Sequence, residues 1–234
     1  MKFWKLAALP LIALTACSPT AEAPPPPPVA DTTPGPASLA LCADAEAAGG
    51  TQLPTLTPCR LEGLAGGHSL LISTSEMVEG DGMLRAELTA PDGASLQVIE
   101  EPATGFYSYP YLEDLSGDGA LDLMLPQLSG MVNTSYALWL QGADGRFSRA
   151  GELSGFTIDL GEDGLIAASG RSSASEWETS YYALENGALK EVAAVVNRPD
   201  PEEGEPASDL PSCEVIRAAE GVDTAPFCTS PAGD

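Results

Sequence analysis

A single histidine, His68, stands in a chain of 234 residues, and lysine and arginine together number only 10 against 34 aspartates and glutamates. With one histidine there is no histidine pair for a metal hydrolase, and no HExxH, GxSxG or glycine-rich phosphate loop precedes a helical pattern. Paired carboxylates for sugar hydrolysis are not marked by any motif among the many acids. The residues therefore point away from an enzyme, and His68, next to the apolar stretch Ser69-Leu70-Leu71-Ile72, is expected to be structural. The scarcity of basic residues leaves a formal charge of -24, which repels phosphate backbones and anionic headgroups. Nucleic acid and a peripheral membrane patch are excluded on that ground; cations and basic proteins remain as partners, while many of the carboxylates serve solubility. There is no apolar run of the about 20 residues a transmembrane helix needs. There is also no CxxC or cysteine–histidine spacing, which argues against zinc and thioredoxin-like chemistry.

What is present begins at the amino terminus, where Lys2 and Lys5 precede the apolar stretch Leu6 to Leu14. Positive charge followed by a short apolar run reads as a signal peptide over residues 1–16, to be left out of the fold. The residues Leu14-Thr15-Ala16-Cys17 resemble the lipobox of bacterial lipoproteins, whose cysteine is acylated (palmitate) on sulfur and becomes the new amino terminus. That resemblance implies a cell-envelope protein touching the membrane through its lipid alone, and Ser18 after the cysteine implies the outer membrane, facing the periplasm. Residues 17–37 include the run Pro24 to Pro28, which favours extended polyproline II and reads as a spacer between bilayer and domain.

Residues 38–234 are expected to form one domain. With Cys17 assigned to lipid, Cys42, Cys59, Cys213 and Cys228 remain in an oxidising compartment. Four cysteines allow three connectivities, and the sequence does not choose between them. The local pairs Cys42–Cys59 and Cys213–Cys228 are preferred because each closes a short loop at one end of the domain.

Between these ends the chain reads as successive hairpins. Arg85–Ala90 faces Ala94–Ile99 across Pro91-Asp92-Gly93, Ser135–Gln141 faces Arg146–Glu152 across residues 142–145, and Tyr181–Leu184 faces Ala188–Val196 across Glu185-Asn186-Gly187. Asp-Gly and Asn-Gly supply the positive φ that tight hairpin turns demand. Helical periodicity is poor, with Asp44–Ala48 and Cys213–Glu220 as the candidates for short helices near the termini. The expected class is mainly β, an antiparallel meander, with a sandwich, a barrel and a propeller-like arrangement all open.

The most informative segment is Asp114-Leu115-Ser116-Gly117-Asp118-Gly119-Ala120-Leu121-Asp122. Side-chain oxygens at alternate positions, a glycine for the sharp turn and the Ala120 carbonyl form the spacing that wraps a chain around a hard cation. It departs from an EF-hand: Leu125 stands where the bidentate glutamate would be, and no helical pattern flanks the loop. Gly80-Asp81-Gly82 and Asp159–Gly164 lack the full spacing and are expected to be turns.

The loop and the strand-like Leu121–Leu125 after it resemble the aspartate-rich loops of FG-GAP and VCBS-type β-propeller repeats, with Ser116 in place of the usual Asp or Asn. A looser resemblance runs from about Tyr109 to Val196, through Tyr136-Ala137-Leu138-Trp139-Leu140, Gly145-Arg146-Phe147, Gly151-Glu152-Leu153-Ser154 and Trp177–Tyr182. It is similar to a family of bacterial periplasmic lipoproteins with a propeller-like fold, some of them immunity proteins that inhibit lysozyme-like toxins delivered by type IV secretion. The resemblance implies calcium at Asp114, Ser116, Asp118 and Asp122 and a basic, lysozyme-like hydrolase as partner; it marks no inhibitory loop here. The alternative is a structural or scaffold lipoprotein that holds other envelope proteins or glycan. For either, Tyr107, Tyr109 and Tyr111 would share one face if extended, a candidate partner surface; packing on a neighbouring strand is the other outcome.

Overall fold

The computed structural model describes residues 38–49, 56–75, 81–104, 108–199 and 210–228. The expected signal peptide, Cys17, the proline run and Tyr107 lie outside the described residues. The protein is mainly β. Among the described residues one α-helix, α1 (Cys42–Gly49), precedes thirteen strands: β1 (Cys59–Leu61), β2 (Ser69–Thr74), β3 (Asp81–Thr89), β4 (Ser95–Thr104), β5 (Tyr111–Glu113), β6 (Asp122–Ser129), β7 (Thr134–Gln141), β8 (Phe147–Gly155), β9 (Thr157–Leu160), β10 (Ile166–Arg171), β11 (Trp177–Glu185), β12 (Ala188–Asn197) and β13 (Cys213–Ala218). Among the described residues no helix is long and apolar enough to cross a membrane.

Two sheets result, one ordered β1-β2-β3-β4-β6-β7-β8 with β5 on β6, the other β13-β12-β11-β10-β9. Every strand pair is antiparallel except β4 with β6, which meet in parallel at the single pair Thr104–Leu128. The first sheet is thus two meanders, β1–β4 and β5–β8, joined by a narrow seam. A register shift between Pro126 and Leu128 marks a bulge beside that seam, a position that tolerates the proline missing from a regular ladder. Because successive side chains leave a strand on opposite faces, β6 sends Leu123 and Leu125 to one side and Met124 to the other. Leu123, Leu125, Ala137 and Phe147 pack with Leu70, Ile72, Leu84, Leu88 and Ile99 in one core. Met124, Leu138, Ala150 and Leu153 pack with Ile158, Ile166 and Ala168 in a second. The β5–β8 meander is therefore the middle of three layers, a sandwich arrangement, and neither sheet closes into a barrel.

Polar groups also tie the first two layers. Glu101 of β4 is buried and accepts hydrogen bonds from Gln127 Nε2, Trp139 Nε1 and Arg149 Nε at 2.9, 2.9 and 2.7 Å. The Gln97 side chain accepts from Phe147 N and donates to Phe147 O. A buried carboxylate is tolerated when its lone pairs are met in this way, and removing a partner would leave charge uncompensated.

The three expected hairpins are present, with Gly93 and Gly145 at φ +86° and +76° and Asn186 at +53°. Both preferred disulfides form: Cys42–Cys59 joins α1 to β1, and Cys213–Cys228 joins β13 to a 3-10 turn at Ala225–Cys228. Two expectations are corrected. Cys213–Glu220 is not a helix but contains strand β13, because the edge of β12 offers Val195 and Val196 as ladder partners to Val215 and Glu214. Asp81 and Gly82 are not a turn but open β3, with Asp81 accepting a hydrogen bond from Thr104 Oγ1.

Candidate functional site

The segment between β5 and β6 folds into a closed loop around its own acids. Asp114 accepts hydrogen bonds from Gly117 N at Oδ1 (2.8 Å) and from Gly119 N at Oδ2 (2.9 Å), and Asp118 Oδ1 accepts from Ala120 N (2.8 Å). Asp122, fully buried, accepts from Ser116 N at Oδ2 (2.8 Å) and from Gln141 N of β7 at Oδ1 (3.0 Å). Ser116 Oγ stands 3.5 Å from Asp114 Oδ1. Gly117 and Gly119 take φ of +72° and +89°, which lets the chain reverse twice within nine residues. Burial raises the Asp122 carboxyl above its ordinary pKa and the nearby Asp118 charge adds to that, while the N–H groups of Gln141 and Ser116 oppose it.

The structure thus brings Asp114, Ser116, Asp118, Ala120 and Asp122 into one loop, but much of the carboxylates' accepting capacity is turned to backbone N–H groups. Among the described residues no three acidic, histidine or cysteine side chains converge as a ready-made metal cage. The donor chemistry nevertheless suits a hard cation: three carboxylates, a hydroxyl and a carbonyl.

Tyr109 and Tyr111 do not share one exposed face. Tyr109 is buried in the first core, and Tyr111 packs beside the second, its ring edge-on to Tyr136 at 5.5 Å between centroids. Pro110 between them lies outside any strand, so the alternation that would align them is interrupted. Tyr111 is held well above the ordinary tyrosine pKa, first by burial and then by Tyr136, Glu113 and Asp159. His68 precedes β2, and its Nδ1 is buried without a hydrogen-bond partner.

A surface that sequence reasoning missed lies at the other end of β6. The β6–β7 turn exposes Met131 completely, with Leu128, Val132 and Phe156 about half exposed. Pairing of Thr134 with Gly155 sets Phe156 next to this turn, and Asn133 clamps it by accepting from Arg171 N and donating to Arg171 O at 2.8 and 2.9 Å. Leu128, Met131 and Val132 lie within five positions, but Phe156 is 24 residues further on, and the register of β7 with β8 brings it to the same end.

No family model matches the sequence, and no curated protein matches it. Among solved structures the chain is similar to a Xanthomonas type IV secretion system related protein, at 13% identity and a TM-score of 0.39, over 59% of this chain and 82% of that one. A likeness that distant carries no functional conclusion.

Proposed function

We propose that the chain is a cell-envelope lipoprotein, anchored through Cys17 in the outer membrane, whose β domain binds a basic protein partner and slows a lysozyme-like cell-wall hydrolase. The observation that carries this reading is the apolar tip of Leu128, Met131, Val132 and Phe156 on a chain of charge -24. Exposed apolar residues clamped in a defined turn suit a desolvated contact, while the surrounding negative field speeds encounter with a positive partner and rejects acidic ones. Both disulfides fit an oxidising compartment. Calcium, held by Asp114, Ser116, Asp118, the Ala120 carbonyl and Asp122, would neutralise the loop and stabilise the fold without taking part in chemistry.

The test is a titration of the full chain in detergent against a lysozyme-like hydrolase encoded beside it, followed by peptidoglycan hydrolysis. The reading expects binding that weakens with salt, inhibition, and loss of both on Met131→Glu. Binding without inhibition would instead support the scaffold reading, in which the same domain holds other envelope proteins or glycan. No binding at low ionic strength would overturn the hydrolase reading.

A further inference from the structure

Beside α1 and β5 lies a cleft of about 440 Å³ whose walls include Tyr109, Tyr111, Tyr136, Leu61, Glu46 and Glu62. Among the described residues no lysine or arginine lines it, whereas two other clefts each carry arginine, Arg60 in one and Arg171 with Arg217 in the other. Glu62 is already paired with Arg60, so Glu46 on α1 is the wall's uncompensated carboxylate among the described residues. Glu113 and Asp159 add negative potential around Tyr111. Tyr109 is more than nine-tenths buried, and its hydroxyl has no hydrogen-bond partner. The Tyr111–Tyr136 pair is edge-on, so one ring presents its edge to the other's electron-rich face.

Aromatic rings attract cations through their negative faces, and a cleft that joins several rings to a carboxylate without a resident base selects positive charge on an apolar body. We infer that this cleft receives an organic cation, an alkylammonium or guanidinium group. Two sources share that chemistry: a lysine or arginine of a basic protein, which would deepen the hydrolase reading, and a free amine, which does not depend on it. A neutral sugar also stacks on tyrosine, but it has no use for an uncompensated carboxylate.

The experiment titrates the full chain with tetramethylammonium, with N-acetyl-arginine amide and with neopentyl alcohol, a neutral body of nearly the same shape as the first, following the tyrosine ring resonances. The two cations should give saturable shifts and the alcohol none. Tyr111→Ala should weaken both cations about tenfold or more, and Glu46→Gln, on the exposed side of α1 and so without effect on melting, by about two- to threefold. Alcohol binding as tight as that of the ammonium, or no saturable shift with either cation, overturns the inference. If saturating tetramethylammonium, compared with sodium at the same ionic strength, displaces a bound hydrolase, the partner's side chain is the source; if the complex survives, a free amine is. Both results uphold the cation cleft, and cation binding by a chain that ignores the hydrolase defeats only the hydrolase reading.

Discussion

The turn at Gly142–Gly145 and the loop at Asp114–Asp122 use the same residue types to different ends. In the turn a single carboxylate does a local job: Asp144 Oδ1 accepts from Arg146 N two residues on, as Asp92 does for Ala94 and Asp163 for Leu165. Asp118 repeats that device with Ala120. What sets the loop apart is the pair around it: Asp114 gathers two N–H groups, and buried Asp122 ties Ser116 to Gln141 on the next strand. One Asx turn shapes a hairpin, whereas three carboxylates in nine residues make a concentration of negative charge that needs either dispersed N–H groups or a cation.

The largest effect should come from Asp122→Ala. It leaves the Ser116 and Gln141 N–H groups without acceptors in a buried site, a loss of about 2–5 kcal/mol read from a denaturant melt. Asp122→Asn should lose less, because it keeps the side chain's size and one strong acceptor. A variant as stable as wild type would dissolve the distinction between loop and turn. Next is Gly119→Ala: nothing lies within 4 Å of the added methyl, so the cost is backbone strain at φ +89°, about 1 kcal/mol in a thermal melt. Smallest is Asp144→Ala, an exposed Asx contact whose loss should cost about 0.5–1 kcal/mol and leave any response to calcium intact.

The contrast also explains what could be read in advance. The hairpins were legible because Asn186-Gly187 and the Asp-Gly turns carry their geometry in two residues. The loop's turns were legible for the same reason, since all their donors and acceptors but Gln141 N lie within nine positions. The layering was not, because it depends on the Thr104–Leu128 seam and on Glu101, whose partners Gln127, Trp139 and Arg149 come from three other strands. β13 was misread because Arg217-Ala218-Ala219-Glu220 favours helix locally, while the partner that overrules it, β12, follows from tertiary pairing alone. The apolar tip and the tyrosine cleft fall in the same class: each gathers residues from separate elements.

The proposal that the Asp114–Asp122 loop holds calcium where the Asp144 turn does not is tested most directly by thermal melts of wild type, Asp118→Ala and Asp144→Ala in chelator, calcium and magnesium. Without a glutamate at Leu125 the affinity should be near the roughly 10⁻⁴–10⁻³ M of extracellular modules. A tenfold excess of calcium over that value should stabilise wild type by about 1.4 kcal/mol. Asp144→Ala should show the same rise and Asp118→Ala none, with magnesium a poor substitute. A wild-type melting temperature unchanged when millimolar calcium is added to the chelated protein would contradict the account.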